Sequence, residues 1–216
     1  MTRVRALPPG RAGRMWLRRR LVAARRGADL LDRKLRILRL EQQRYQLLAE
    51  RTEAAWLDAQ ADAETWMLRA ALLGGERAVR LATDGGHAEV TITWATTMGV
   101  SHPTQGTCRI PERPPTMPSP TSTALAYAAA AYATALRAAV DHAAADAALH
   151  AVEHEVDATR RRVRAINDRW IPRLTEAQHR VQLVLDEQEH DDAVRLRWAV
   201  KRGARFYTTR NQRRSP

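Results

Sequence analysis

The feature that most constrains the fold is an apolar repeat that runs from Leu17 to Leu73. Alternating steps of four and three residues along this stretch reach an apolar or aromatic residue at fifteen of seventeen positions. Such steps average 3.5 residues, so one helix face stays apolar for about eight heptads. A helix of about 60 residues is roughly 90 Å long and is unstable alone in water, so the rest of the chain must supply a partner.

A second apolar repeat in the C-terminal half supplies that partner. Its positions, all apolar except one threonine, are Leu149, Val152, Val156, Thr159, Val163, Ile166, Trp170, Leu174, Ala177, Val181 and Leu185. The spacing alternates three and four as far as Ile166 and then reads four and four through Trp170 to Leu174. Pro172 lies in this irregular stretch. Because a proline inside a helix removes one hydrogen bond, we expect a kink near Pro172 and a helix that continues beyond it.

The segment between the two repeats has a different pattern and predicts a small β structure. Val90, Ile92 and Trp94 alternate with threonines, the period of two that is typical of a strand. A weaker extended run spans 107–110, and we expect a break between the two runs at 98–103. Prolines then form a stiff linker. An insert this small cannot form its own core, so it should lean on the helices.

These patterns predict a mainly α protein: a long antiparallel two-helix coiled coil with a small β-hairpin-containing insert between the helices. The predicted segments are a flexible basic leader (1–13), helix 1 (14–83), the insert with its proline-rich linker (84–121), helix 2 (122–202) and a basic tail (203–216). Glycine pairs at 74–75 and 85–86 are the stop signals of helix 1. Helix 2 has three candidate N-caps, Ser119, Thr121 and Ser122.

The net charge of +12 is concentrated at the two ends of the chain. Residues 1–40 hold thirteen Arg and Lys against two Asp, residues 195–216 hold eight and no acid, and residues 41–194 are acidic overall. Five arginines lie off the apolar repeat near the N-terminus: Arg18, Arg19, Arg20, Arg25 and Arg26. Their density indicates an acidic or anionic partner, whereas the simpler interpretation is a solvated helix face. The corresponding candidates at the other end are Arg195, Arg197, Lys201 and Arg202.

The sequence predicts no catalytic residue, metal site or cofactor site. Only two lysines are present and neither follows a glycine-rich loop, which excludes a phosphate-binding loop of the usual kind. A single cysteine excludes a disulfide framework and a cysteine-based zinc site. His150 and His154 have helical metal-ligand spacing, but a solvated helix face is the simpler interpretation. The acidic cluster at 186–192 is spaced for salt bridges with Arg195 and Arg197. The alanine-rich run 124–140 is too weakly apolar to span a bilayer.

Two stretches resemble the D subunit of V-type and archaeal-type rotary ATPases. The first is Leu17 to Lys34, LRRRLVAARRGADLLDRK, and the second is Arg161 to Leu174, RRVRAINDRWIPRL. The acidic run before Arg195 and Leu196 continues the second match. In the insert, the triplet Met98, Gly99 and Val100 resembles a short motif of that family. The rest of the insert matches poorly, and the basic tail is longer than the family pattern.

The resemblance implies a central rotor shaft that couples ATP hydrolysis or synthesis in a catalytic hexamer to rotation of a membrane ring carrying protons or sodium. It implies as partners the catalytic and regulatory nucleotide-binding subunits of the hexamer, a small F-type stalk subunit, and a subunit that binds the membrane ring. The basic residues named for the two ends would contact the hexamer sleeve, and the Met98–Val100 triplet would make an insert contact. The Pro172 kink would make those contacts differ with orientation.

The same resemblance implies a non-catalytic subunit on the cytoplasmic side of the membrane, peripheral to a membrane-bound complex. It implies no direct contact with nucleic acid and no obligate homo-oligomer.

Two other functions fit the same patterns. A basic-tipped coiled coil could bind nucleic-acid phosphates, although the aromatic residues lie in the apolar repeats and not among the arginines. A coiled-coil scaffold that self-associates is the second. Steeply salt-dependent DNA binding would favour the first, and a homodimeric mass in solution would favour the second.

Overall fold

The computed structural model describes residues 8–82, 86–111 and 122–212, with side chains described as far as Arg202. Helix α1 spans Gly10–Ala82, strand β1 spans Glu89–Thr97, strand β2 spans Val100–Arg109, helix α2 spans Thr123–Arg164 and helix α3 spans Ile171–Gln212. A π-helical turn, Ala165–Trp170, joins α2 to α3. The predicted fold class is confirmed, because two long helical segments flank one small antiparallel hairpin.

The helices extend past the bounds that the sequence predicts. Helix α1 begins at Gly10 and not at residue 14, and α3 continues to Gln212, beyond the expected end at 202. A glycine inside a helix costs only about 1 kcal/mol, so Gly203 alone does not end α3. The backbone is non-helical at Gly75 (φ 68°), and a further helical stretch follows to Ala82. Residues 1–7 of the leader, the linker from 112 to 121, and residues 213–216 of the tail lie outside the described residues.

The chain forms two compact units. Unit 1 comprises Met1–Leu31 and Arg161–Pro216. Its apolar cluster contains the buried residues Leu17, Leu21 and Leu174, with Trp16, Ala24, Ile171, Ala177 and Val181 packed against them. Arg14 Nη1 donates to Gln182 Oε1 at 3.2 Å, and Arg11 forms an ion pair with Glu189 at 2.9 Å. The contacts advance along α3 as they recede along α1, so these helices are antiparallel.

Unit 2 comprises Asp32–Arg160 and contains the hairpin. Its helices α1 and α2 are antiparallel as well, because Lys34 pairs with Glu155 and Thr52 contacts His142. One cluster buries Leu35, Leu38, Tyr45, Val100, Ala148, Val152 and Val156. The α2 side of the interface is rich in alanine, and its buried alanines are Ala124, Ala128, Ala135, Ala144, Ala145 and Ala148. Small side chains let two helices approach closely.

The start of α2 is capped by one of the three predicted residues. Ser122 Oγ accepts a hydrogen bond from the Leu125 amide at 3.3 Å, which satisfies a backbone donor that the first helical turn leaves free. Ser119 and Thr121 lie outside the described residues.

The hairpin turns at two residues, Met98 and Gly99, whose φ angles are 52° and 80°. Positive φ at both positions is typical of a type I′ turn, which matches the twist of the flanking strands. The predicted break at 98–103 and the short second strand at 107–110 are therefore wrong, because β2 already begins at Val100. Pro103 is accommodated inside β2 because it pairs with Trp94, where the register shifts.

Strand β2 is the buried strand of the hairpin. Its Val100 and His102 are buried, and a Cβ added at Gly106 would lie 2.6 Å from Val140 Cγ1 of α2. Val90, Ile92 and Trp94 of β1, which carry the period-two pattern, are 47 %, 46 % and 63 % exposed. The hairpin thus leans on the helices of unit 2 through the strand with the weaker sequence pattern.

The π-helical turn lies immediately before Pro172. The Ile171 amide donates to the Ile166 carbonyl, five residues earlier. Trp170 is 42 % exposed, and Ile171 packs into the unit 1 cluster. The prediction that Trp170 occupies the apolar repeat is therefore wrong, since a π turn rotates it outward and brings the next residue in.

Candidate partner-binding surfaces

The five arginines predicted as a partner surface near the N-terminus are all exposed, but they do not form a single surface. Arg18, Arg19 and Arg26 line one shallow groove along α1. The apolar part of that groove consists of Met15, Val22, Ala23 and Leu30. Met15, Val22 and Leu30 are 50 %, 43 % and 63 % exposed. We call this surface the α1 groove.

Arg20 and Arg25 have different surroundings. The Arg20 guanidinium lies 4.9 Å from the ring centroid of Trp16, a distance typical of a cation–π contact. Arg25 borders a second groove between α1 and α3, which it shares with Leu21, Gln178 and Gln182. The predicted arginine cluster is therefore divided, and only three of its members face the α1 groove.

The arginines of the α1 groove lie beyond ion-pair distance of the acidic side chains that the structure describes. Within the described part of the chain, Arg18, Arg19 and Arg26 make no ion pair, whereas Arg11, on the same helix, pairs with Glu189. Guanidinium groups beside exposed apolar side chains suit a partner that offers both carboxylates and apolar contacts. The α1 groove has both properties.

The predicted basic residues of α3 lie on an exposed segment. Every side chain from Glu187 to Arg202 is exposed except Ala193, which is half-buried. Arg195 makes a long 3.8 Å contact with Asp192, and Arg202 lies over the Trp198 ring at 5.7 Å. Apolar side chains lie among the basic residues here: Val194, Leu196, Trp198 and Val200 are all exposed. We call this stretch the α3 basic segment, and it includes Arg197 and Lys201.

The triplet Met98, Gly99 and Val100 forms the tip of the hairpin. Met98 is 47 % exposed, whereas Val100 is buried in the core of unit 2. Only Met98 of the three therefore presents a substantial side chain to a partner. The sequence pattern does not distinguish these roles, since both residues are apolar.

A buried polar network fixes the base of this tip on α1. His102 Nδ1 lies 3.2 Å from Tyr45 Oη, and His102 Nε2 lies 3.1 Å from Thr97 Oγ1. Burial raises the pKa of Tyr45 above 10.0, Arg44 lowers it, and Glu41 raises it further. The sequence does not predict this network, because Tyr45 is an ordinary member of the apolar repeat and His102 lies in the expected break.

His150, one of the weaker sequence candidates, has a local helical partner. His150 Nδ1 lies 3.3 Å from Asp146 Oδ2, one turn earlier. Within the ranges that the structure describes, no three His, Cys, Asp or Glu residues lie close enough together to hold a metal ion. None of the helices in the described residues combines the length and hydropathy that crossing a membrane requires.

Residues 15–201 match the family model for the D subunit of ATP synthase. The match covers most of α1, the hairpin, α2 and most of α3, with the whole α1 groove and all but the last residue of the α3 basic segment. The chain belongs to the ATP synthase D-subunit family. No curated protein matches the chain. Members of this family are stalk subunits of rotary ATPases, so the chain is part of an ATP synthase complex that is associated with a membrane.

Proposed function

We propose that this chain is the central rotor shaft of a V/A-type proton- or sodium-translocating ATPase or ATP synthase. It couples ATP hydrolysis or synthesis in a catalytic hexamer to rotation of a membrane ring. The observation that carries the proposal is the family match over residues 15–201. The resemblance of residues 17–34 and 161–174 to the D subunit of V-type and archaeal-type enzymes supports the V/A assignment.

The packing within each unit suits a shaft that transmits torque. In unit 2 the ion pair of Lys34 and Glu155, at 2.7 Å, and the hydrogen bond of Gln42 to Glu153 join α1 to α2 beside the apolar stripe. In unit 1 a hydrogen bond from Arg14 to Gln182 joins α1 to α3. Contacts of this kind oppose sliding of one helix along the other, while apolar burial holds the helices together.

The hexamer sleeve is the proposed partner of the α1 groove and the α3 basic segment. Both surfaces belong to unit 1, and both combine positive charge with exposed apolar side chains. A sleeve that offers acidic side chains and main-chain carbonyls would complement them. Arg18, Arg19 and Arg26 are the principal contacts that this proposal assigns, and the Pro172 region would make the contacts depend on orientation.

The remaining assignments follow from the same role. Met98 at the hairpin tip would contact a neighbouring subunit, and the other partners would be a small F-type stalk subunit and a subunit that binds the membrane ring. The chain would act as a non-catalytic subunit on the cytoplasmic side of the membrane. It would bind no nucleic acid and would be present as one copy per hexamer.

Affinity purification of the chain from its own cells tests the proposal. We expect recovery of two different large nucleotide-binding subunits in equal amounts, each in excess over the bait. Recovery of nucleic acid in a salt-sensitive complex, without those subunits, would instead support the nucleic-acid-binding alternative. A homodimer as the sole species would support a scaffold.

Charge-removing variants test the sleeve surface. The triple variant Arg18→Gln, Arg19→Gln and Arg26→Gln should weaken assembly with the hexamer and lower rotation-coupled turnover, because each substitution removes a positive charge from the α1 groove. A matched control replaces Arg51, Arg77 and Arg80 by Gln, since all three are exposed on α1 in unit 2. Assembly and coupling that are equal in the two triple variants would contradict the assignment.

A further inference from the structure

The spacing of inward-facing residues along the second helical segment contains one extra residue. In unit 1 one continuous row of half-buried or buried positions runs through Val163, Ile166, Ile171, Leu174, Gln178, Val181 and Leu185. Their separations are three, five, three, four, three and four, so the only irregular step is the five from Ile166 to Ile171. A π-helical turn is a one-residue insertion into an α-helix, and it lies at this step.

The same sequence offers a second way to face α1. In an uninterrupted α-helix, steps of four lead from Ile166 to Trp170 and then to Leu174, followed by Ala177 and Val181. All five residues are apolar. Leu174 and Val181 face the partner helix in both arrangements, whereas Trp170 and Ile171 exchange places.

We propose that the start of α3 is a two-register element whose position is set by the π turn. With the turn in place, Ile171 packs on α1 and Trp170 is exposed. When the turn converts to α-helix, Trp170 enters the apolar cluster and Ile171 leaves it. A partner that covers Trp170 binds only the first register and therefore shifts the equilibrium toward it.

Pro172 biases the free chain toward the π register. In a regular α-helix its ring would clash with the carbonyl of Asp168, four residues earlier, and that carbonyl would lose its amide donor. The π turn supplies a different bond, from the Ile171 amide to the Ile166 carbonyl, and widens the backbone just before the proline. The α register nevertheless stays accessible, because it buries a larger side chain at the exchanged position.

Fluorine NMR of the full chain labelled with 5-fluorotryptophan reports the register. The Trp170 resonance is assigned by its loss in Trp170→Phe, and its solvent isotope shift between H2O and D2O measures exposure. We expect a clear isotope shift in the unmodified chain, because the Trp170 ring is 42 % exposed. In Ile171→Ser, which removes the apolar side chain of the π register, the shift should fall by at least about half as Trp170 becomes buried. An unchanged shift in Ile171→Ser would overturn the proposal.

Single-residue deletions test the same inference without relying on that variant. Deleting Asn167 removes the extra residue, so Ile171 falls four residues after Ile166 in a regular α-helix and the apolar stripe becomes continuous. Pro172 still meets the Asp168 carbonyl in that helix, so some stability is lost, but the fall in melting temperature should be less than half of the fall in the control deletion. Deleting the exposed Gln43, in a regular part of α1, shifts all later positions out of phase and should lower the melting temperature by about 5 °C or more. Equal falls in melting temperature for the two deletions would show that the π turn does not contain an extra residue, and would contradict the proposal.

Discussion

Gly106 lies close against α2, and Gly106→Ala should loosen that contact. An added Cβ would lie 2.6 Å from Val140 Cγ1, 3.2 Å from the Val140 carbonyl oxygen and 3.7 Å from Ala144 Cβ. Overpacking of this kind costs about 1–3 kcal/mol, and the lower entropy of the unfolded alanine chain offsets roughly 0.4–1 kcal/mol of it. The net loss should be about 1–2 kcal/mol, or roughly 3–6 °C in melting temperature for a chain of this size.

Thermal and urea unfolding followed by circular dichroism measure this loss, and two further variants identify its cause. Val140→Ala removes the atom at 2.6 Å, so the double variant should recover most of the loss that Gly106→Ala produces, beyond the additive expectation. Gly27→Ala is the matched control, because nothing lies within 4 Å of its added Cβ, and it should stabilise α1 by about 1 kcal/mol. If Gly106→Ala behaves like Gly27→Ala, or if Val140→Ala gives no recovery, the close approach does not limit stability.

Three other predictions follow from described contacts. Met98→Asn should stabilise the chain by about 0.5–1 kcal/mol in urea unfolding, because asparagine tolerates the positive φ of 52° better than methionine. Burial raises the pKa of Tyr45 in the folded state, so the contribution of the neutral Tyr45 side chain to the unfolding free energy is complete below pH 10 and is lost as pH rises through the folded pKa. The unfolding free energy should therefore fall less steeply above pH 10 in Tyr45→Phe than in the unmodified chain. Lys34→Met removes the cation that lies 2.7 Å from the half-buried Glu155 carboxylate and should lower the free energy of unfolding by about 1–2 kcal/mol. Arg80→Met, at an exposed ion pair, is the control and should leave the melting temperature unchanged.

The apolar repeat of α1 predicts most of what the first helix buries, although its last position, Leu73, is 74 % exposed. The repeat places Leu17, Leu21, Leu35, Leu38 and Tyr45 on the inner face, and all five are buried. The prediction works because a 3.5-residue period over many turns leaves a helix only one way to hide its apolar side chains. Each turn of the helix repeats the same apolar face, so the prediction rests on many positions together.

The hairpin and the π turn cannot be predicted in the same way. A period of two identifies β1 as a strand but does not say which strand of a pair lies against the helices. Strand β2 is the buried one because Gly106 allows close approach and His102 finds polar partners, and both depend on residues distant in sequence. At the π turn, the spacing of apolar residues allows either Trp170 or Ile171 to pack against α1. Ile171 is the one that packs there because of the backbone hydrogen bond just before Pro172.

The arginine surface is only partly predictable for a related reason. Charge density identifies the region, but which of the exposed guanidinium groups faces the α1 groove depends on the neighbouring side chains. Arg20 lies over the Trp16 ring, and Arg25 borders the groove between α1 and α3. Only the other three arginines lie beside the apolar residues of the α1 groove. The apolar members of the α1 groove lie off the main repeat, so the repeat does not predict them.

The open edge of β1 has a consequence for handling the protein. The hairpin has only two strands, so the outer backbone groups of β1 have no strand beside them within the hairpin, and the run from Val90 to Thr97 carries no charge. Uncharged, β-branched and aromatic edge strands are the places where protein chains stack into fibrils. When the protein is concentrated, aggregation should therefore begin at β1 and not at the helices. Thr91→Lys would place a charge on this strand and should reduce that aggregation.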